Sequence, residues 1–441
     1  MASFSFSDIQ NALFKTYFLH TIPDKHHTNR KETYSLKITR EKWKFRDENY
    51  GPLLPFIKNE NVTDINYNGK DVWIDDLEVG RYKADLELSR DFIEQFTVRV
   101  ADAVSENFNQ YNPLLEAETD VLRISIVHES VANTGRSISI RKTPIVKRLD
   151  FNTAIETGYA SKEVLSLLQH CIEGKMNMVF CGLPGAGKTE LLKWHTSFIP
   201  NSDRVITIED SLEIHYAAIN GGKDCVELKV DNSRVGDANV FDYAMAIKAC
   251  LRQNPQWILL SEARSTEVKY LLESMSTGTH CLTTLHTDDV RKVPDRIKNM
   301  IQDAIISERV ENDTYSFIDV AVLVKKRFKN GKITRFIDQV CFFSRENGKN
   351  VISLVVDEGQ MIGATLPAEI IRKFKQYDIV NPFAVVGEED AFGSVEADVP
   401  YEGETTITGE AIFLPEGDFA ESDTDDNEEN IFVFDAVSHP A

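Results

Sequence analysis

Long hydrophobic runs are missing from this sequence, since no apolar stretch approaches the roughly 20 residues that a membrane-spanning helix needs. Its six cysteines are scattered without a C-x-x-C pair, which argues against a zinc ribbon and against a disulfide framework. The first residues also lack the basic and apolar regions of a secretory signal. We therefore expect a protein of the reducing cytoplasm.

Lysine and arginine are absent from the end of the chain. Residues 387–441 contain 17 acidic side chains and no basic one, while the net charge of the whole chain is −21. The rest of the chain is therefore close to neutral and has no evident basic groove, so we expect no direct binding to nucleic acid. The acidic tail, residues 384–441, lacks the periodicity of a packed element and is predicted to be largely disordered, with an unknown partner.

A glycine-rich loop lies near the middle of the chain. The apolar run Met178–Cys181 predicts a buried strand, and an apolar-periodic helix opens at Thr189. Between them, Gly182–Thr189 fits the pattern G-x-x-x-x-G-K-[ST]. Glycines let backbone N–H groups approach phosphate oxygens, and the positive end of the new helix attracts the same anion.

This phosphate loop predicts ATP and Mg²⁺ as the bound groups. In such a loop the lysine, here Lys188, reaches the β- and γ-phosphates, and the hydroxyl of Thr189 binds Mg²⁺. The predicted nucleotide-binding residues are those of the loop and of the first helical turn: Gly182, Pro184, Gly185, Ala186, Gly187, Lys188, Thr189 and Glu190.

The chain of 441 residues is too long for one ordinary domain. Strands alternate with helices between residues 151 and 345, which predicts an α/β fold with a parallel sheet. The preceding part mixes hairpin strands with one amphipathic helix and predicts a smaller α+β domain. The predicted segments are an N-terminal extension (1–50), an α+β domain (51–150), an ATPase domain (151–345), a helical and strand segment (346–383) and the acidic tail (384–441).

Polar side chains follow three predicted strands of the ATPase domain, Arg204–Glu209, Trp257–Leu260 and His280–Leu285. Ligands of parallel sheets bind at the carboxyl ends of the strands. A phosphate loop with carboxylates on neighbouring strand ends is typical of a nucleoside triphosphatase.

The polar residues at the carboxyl ends of these strands are predicted to have separate roles in ATP hydrolysis. Glu262 is expected to act on Mg²⁺ and its water shell, and Glu209, with Glu213 nearby, to polarise the attacking water, although the sequence also allows the two roles to be exchanged. His286 is expected to sense the γ-phosphate. Arg264 is a candidate for stabilising the spread phosphoryl charge, together with arginines of the first domain.

Four segments of the chain resemble the secretion-superfamily hexameric ATPases, which power type IV secretion and conjugation, type II secretion and type IV pili. The resemblance implies a RecA-like core, ATP between two domains that move during hydrolysis, and a ring, usually of six subunits. The segments are a Walker A motif (Gly182–Thr189), an Asp box (Ile206–Glu213), a Walker B motif (Trp257–Arg264) and a His box (Thr277–His286).

The first domain favours the conjugation and type IV secretion branch of that family. By position, Arg123 and Arg141 match arginines that reach the phosphates in that branch. The resemblance further implies a peripheral protein at the cytoplasmic face of the membrane that engages an inner-membrane channel or a pilus platform.

The sequence also departs from the family. Ser261 stands where the family usually has glycine, Asp288 and Asp289 follow His286 where small or amide residues are commoner, and the acidic tail is not a family feature. Two alternatives stay open. One is an assembly ATPase of type IV pili, competence or type II secretion. The other is a non-motor switch or scaffold with a phosphate loop, against which the intact Glu209 and Glu262 argue.

Overall fold

The computed structural model describes residues 45–230, 241–265, 267–301, 304–363 and 365–386. These residues fall within one compact unit. Nearly all of the predicted N-terminal extension and of the predicted acidic tail lies outside the described residues.

Helices and strands alternate in the middle of the described chain, whereas strands follow one another before and after it. The helices are α1 (Asp47–Tyr50), α2 (Leu54–Lys58), α3 (Arg90–Val104), α4 (Phe151–Glu156), α5 (Lys162–Glu173), α6 (Lys188–His195), α7 (Tyr216–Ile219), α8 (Tyr243–Cys250), α9 (Glu267–Ser276), α10 (Val293–Met300), α11 (Ala304–Phe317) and α12 (Ala368–Gln376). The strands are β1 (Val62–Tyr67), β2 (Val72–Asp76), β3 (Gly80–Lys83), β4 (Leu114–Glu118), β5 (Leu122–Val127), β6 (Ser137–Lys142), β7 (Met178–Cys181), β8 (Val205–Glu209), β9 (Cys225–Lys229), β10 (Trp257–Leu260), β11 (His280–Leu285), β12 (Val320–Lys329), β13 (Lys332–Glu346), β14 (Lys349–Asp357) and β15 (Gln360–Met361).

The first sheet forms the N-terminal domain. Its six strands are antiparallel in the order β3-β2-β1-β6-β5-β4. The helix α3 begins after Ser89, whose hydroxyl accepts a hydrogen bond from the N–H of Phe92, and it buries Ile93, Phe96 and Val100 against the sheet. The predicted α+β character of this domain is confirmed.

The second sheet carries the phosphate loop. Its nine strands follow the order β15-β14-β13-β12-β7-β11-β10-β8-β9, and all pairs from β12 to β9 are parallel. The strands β7 and β10 are fully buried, because separate hydrophobic clusters cover the two faces of the sheet. Such continuous apolar runs are typical of parallel strands with both faces covered. The predicted α/β core is confirmed.

The segment 346–383 adds to this second sheet. The strands β14 and β15 extend it in antiparallel fashion beyond β13, and α12 packs its Phe374 against Phe342 of β13. The hairpin of β12 and β13 also reaches beyond the sheet, since Val320–Val324 are buried while Lys325–Lys329 are exposed. The apolar run Phe317–Val324 predicts a strand, but β12 starts only at Val320, because α11 continues to Phe317.

Candidate active site

A cleft of about 860 Å³ lies between the N-terminal domain and the carboxyl ends of the second sheet's parallel strands. Its walls come from β1, β6 and the linker after β6, from the phosphate loop, from the ends of β8, β10 and β11, and from the start of β13. The cleft therefore lies where ligands of parallel sheets bind.

The phosphate loop has the backbone of an anion cradle. Gly182, Gly185 and Gly187 all have positive φ angles, of 151°, 73° and 101°. A Cβ atom at Gly182 would lie 2.6 Å from the carbonyl oxygen of Val324, so only glycine fits this close approach of β7 and β12. The helix α6 begins at Lys188, and the first N–H groups of a helix have no partner within it. This arrangement fits the phosphates of a nucleotide.

Lys188 is held at the base of the cleft. It is 8% exposed, and its Nζ lies 3.1 Å from the carbonyl oxygen of Gly182 and 3.1 Å from Nδ1 of His286. Burial lowers the pKa of this lysine. A partly desolvated ammonium group gains more from an approaching phosphate than an exposed one does.

A chain of polar contacts joins the ends of three strands. Glu262 follows β10 and lies 2.9 Å from Nε2 of His286, which follows β11, and 2.8 Å from the guanidinium of Arg264. Arg264 in turn lies 2.7 Å from Asp210 after β8. Since His286 also contacts Lys188, the structure brings the Walker A, Walker B, His and Asp boxes together around one cleft.

The structure separates the two glutamates of the Asp box. Glu209 is 1% exposed, and its carboxyl accepts hydrogen bonds from the N–H groups of Glu213, at 2.7 Å, and Ile214, at 3.0 Å. Burial raises the pKa of Glu209 to about 8. Glu213 instead lines the cleft and accepts a hydrogen bond of 3.4 Å from the hydroxyl of Thr189. The group expected to polarise water thus points into the protein, whereas its neighbour faces the cleft.

The two predicted arginines of the first domain also differ. Arg141 lines the cleft and contacts Asp64 at 2.9 Å. Arg123 lies opposite Arg141 in the register of β5 and β6, one strand further out, and its guanidinium is 4.0 Å from Glu116. Arg123 is not among the described residues that line the cleft.

Sequence reasoning missed two other arginines that line the cleft. Arg148 contacts the carboxylate of Glu190 at 3.1 Å, and Arg335 donates a hydrogen bond of 3.2 Å to the carbonyl oxygen of Gly185. Arg148 follows Lys147 just before the predicted boundary between the α+β domain and the ATPase domain, and this basic pair was the available signal. Arg335 is 150 residues from its partner in the loop, and no local pattern marks it.

The residues of the cleft fit a magnesium ion that is bound together with a nucleotide. Among the described residues, no group of three or more His, Cys, Asp or Glu side chains is placed to hold a metal alone. Mg²⁺ at phosphate-transfer sites is usually bound by one or two protein groups, water and the phosphates. The Thr189 hydroxyl and the Glu262 carboxylate, which both line the cleft, supply the oxygen donors that this arrangement needs.

Residues 114–346, more than half of the chain, match the family described as type II/IV secretion system protein. The chain belongs to that family. With its phosphate loop and cleft, it is an ATPase of the secretion superfamily, as the resemblance implied.

Two relatives are matched over most of this chain. An uncharacterized protein of Bacillus anthracis is 26% identical over 75% of this chain and 77% of its own length. The type IV secretion system protein VirB11 of Bartonella henselae is 23% identical over 72% of this chain and 94% of its own length. Some other relatives are matched over only about half of their own length.

The solved structure of the ATPase DotB of Yersinia pseudotuberculosis supports the fold of the secretion ATPase. It is 14% identical, covers 67% of this chain and 78% of its own length, and gives a TM-score of 0.50. In the part of the secretion ATPase that the structure describes, no helix is long and apolar enough to cross a membrane.

Proposed function

We propose that this ATPase powers a type IV secretion or conjugation system as a ring-forming motor at the cytoplasmic face of the membrane. The observation that carries the proposal is the continuous chain of contacts from Lys188 through His286, Glu262 and Arg264 to Asp210. These groups line one cleft together with the N-terminal domain, and they are of the chemical types that phosphoryl transfer uses, which supports the proposal. The relationship to VirB11 supports the choice of branch, and a homo-oligomer, proposed as a hexamer, would work with inner-membrane channel proteins.

The phosphate loop and Lys188 would hold the nucleotide. The backbone N–H groups at the start of α6 and the ammonium group of Lys188 neutralise phosphate charge. Mg²⁺ would be held by the Thr189 hydroxyl and the phosphates, with Glu262 acting on its water shell, and would supply further positive charge to the transferred group. Arg264 and Arg141, which line the cleft, are suited to the charge that spreads over the transferred phosphoryl group.

Glu262 is the proposed group for orienting the attacking water. Its carboxylate faces the cleft, and the contacts with His286 and Arg264 fix its position. In hydrolysis the water oxygen would form a bond to the γ-phosphorus while the bond from that phosphorus to the β–γ bridging oxygen breaks and ADP leaves, and the Glu262 carboxylate would accept the proton of the water. His286 contacts both Lys188 and Glu262, so it would connect the lysine that binds the phosphates with the carboxylate that orients the water.

Glu209 is proposed as a positioning residue. Its carboxyl accepts the N–H groups of Glu213 and Ile214, so it fixes the loop from which Glu213 projects toward Thr189. The role expected for Glu209, which is to polarise the attacking water, is thereby assigned to Glu262, whose carboxylate faces the cleft.

Steady-state ATP hydrolysis across a series of protein concentrations tests the proposal. We expect specific activity to rise cooperatively as subunits assemble, and Lys188→Ala and Glu262→Gln each to abolish it. Glu273→Gln, which changes an exposed carboxylate of α9, is the matched control and should keep full activity. A near-zero turnover that does not change with concentration, despite measured ATP binding, would contradict the motor and support a switch or scaffold.

A further inference from the structure

Two arginines outside the family motifs connect the nucleotide-binding loop with the N-terminal domain. Arg335 donates one hydrogen bond to the carbonyl oxygen of Gly185 in the loop, at 3.2 Å, and a second to that of Leu77 in the N-terminal domain, at 3.0 Å. Arg148 contacts the carboxylate of Glu190 in α6 at 3.1 Å and the carbonyl oxygen of Glu60 at 3.4 Å. Each guanidinium thus has one contact on either side of the cleft.

Arg335 is attached to the phosphate loop by strand pairing and by packing in addition to its one hydrogen bond to Gly185. It belongs to β13, which pairs with β12, and β12 pairs with β7 directly before the loop. A Cβ atom at Gly187 would lie 3.3 Å from Cδ of Arg335, so the stem of the arginine covers this glycine. A change in the loop backbone therefore acts on Arg335 directly.

The same strand is attached to the N-terminal domain close to Arg335. The N–H of Ile333 donates a hydrogen bond of 2.6 Å to the carbonyl oxygen of Glu78, and Lys332 contacts the Glu78 carboxylate at 3.1 Å. The side chain of Ile333 also lies against Gly80. The turn between β2 and β3 is thus held by a strand that is attached to the phosphate loop.

We infer that Arg335 is a positioning residue that transmits the state of the phosphate loop to the N-terminal domain, with Arg148 as a second connection. The inference rests on the ATP reaction proposed above. Phosphates that bind to the N–H groups of the loop fix its backbone, including the carbonyl group of Gly185. A planar guanidinium donates in two fixed directions, so a constraint on one carbonyl partner is passed to the other.

Enzyme kinetics separate this role from nucleotide binding. Arg335→Ala and Arg335→Lys are expected to bind a non-hydrolysable ATP analogue within about threefold of the wild-type affinity but to lower kcat by about tenfold. Lysine should not restore the rate, because one ammonium group cannot reproduce the two directed contacts. The control is Arg327→Ala, on the same hairpin, where the guanidinium packs over Phe336. It should behave like the wild type.

Hydrogen exchange of backbone amides, measured with and without the analogue, gives a second test. If Arg335 only stabilised the fold, its replacement would not change the effect of the analogue on this exchange. The amide of Ile333 bonds across the two domains, so we expect the analogue to slow its exchange, and that of residues 77–80, in the wild type and in Arg327→Ala. In both Arg335 variants this nucleotide-dependent change should be lost, and in Arg148→Ala it should be reduced. Thermal unfolding of each variant controls for loss of structure.

The outcomes distinguish the inference from the function on which it rests. An Arg335→Ala protein that is folded, binds the analogue and keeps the wild-type exchange response overturns the role of Arg335. A wild-type protein that does not bind the analogue at all contradicts the proposed ATPase function itself.

Discussion

Replacing Glu209 with glutamine should leave ATP hydrolysis near the wild-type rate, although the sequence alone makes this residue a candidate for activating water. Burial raises the pKa of Glu209 to about 8, so its carboxyl is largely protonated at neutral pH, and a neutral amide of the same size replaces it closely. The amide oxygen can accept the N–H groups of Glu213 and Ile214, which both approach Oε2. We expect a cost of less than about 1 kcal/mol in unfolding free energy.

Two further substitutions serve as comparisons, one for the loss of stability and one for the loss of activity. Glu209→Ala removes the acceptor for two buried N–H groups, each worth about 1–3 kcal/mol when left without a partner, and should loosen the loop that carries Glu213. Glu262→Gln removes a charge from the cleft and should lower kcat by roughly 10² to 10⁴. The assay is ATP turnover at saturating substrate, with urea unfolding in parallel. A Glu209→Gln protein that is as stable as the wild type yet as inactive as Glu262→Gln would refute the reasoning.

The same substitution has a pH signature. The folded-state pKa of Glu209, about 8, lies above the ordinary value of 4.5, so between these values the folded state binds the proton more tightly. The stabilisation from this group is complete below about pH 4.5 and is lost as the pH rises through about 8. Between about pH 6 and pH 9 the wild type should lose up to a few kcal/mol that Glu209→Gln does not lose. Equal slopes of stability against pH in the two proteins would contradict the burial of this carboxyl.

Three other predictions address the loop, the metal and the core. Gly187→Ala should weaken ATP binding by at least about tenfold in a titration with a fluorescent analogue, because its φ of 101° strains any other residue and its Cβ would meet Arg335; unchanged affinity would contradict the described loop. Chelation of divalent cations should abolish hydrolysis, and added Mg²⁺ should restore it, whereas turnover that persists in the chelator would exclude a required metal. Asp319→Ala should cost about 1–3 kcal/mol in urea unfolding, because it leaves the buried N–H of Asn177 without its acceptor, while the ammonium group of Lys373, which is 29% exposed, can still reach water. The KM for ATP of this variant should stay unchanged, and a wild-type unfolding midpoint would refute the importance of the buried carboxylate.

The strands of the second sheet could be predicted closely from the sequence. Trp257–Leu260 and His280–Leu285 have the same bounds in the structure as in the prediction. The first of them is a continuous apolar run, as is typical of a strand covered on both faces. The polar residues at their carboxyl ends follow from the geometry of a parallel sheet, which brings those ends to one edge. Short strands such as Gly80–Lys83 and Cys225–Lys229 were missed, since a half-exposed edge strand has little hydrophobic signal.

The directions of side chains, and their partners far along the chain, could not be predicted from the sequence. Glu209 and Glu213 are four residues apart and chemically identical, and only the path of the loop turns one inward and the other toward the cleft. Arg335 becomes part of the cleft because β13 lies beside β12, which in turn pairs with β7. Such a position depends on sheet order, which no local pattern contains.

The exposed half of the hairpin has a mechanical consequence. In Val320–Lys329 the first five residues are anchored in the sheet and the last five project from it, a length of about 16 Å at the usual rise of a strand. If this arm turns as a stiff lever about its base, a rotation of about 10° moves its tip by about 3 Å, close to the full length of a hydrogen bond. A rearrangement at the loop that is too small to disturb the core would then be large enough at Ile333 to make or break the contact with Glu78.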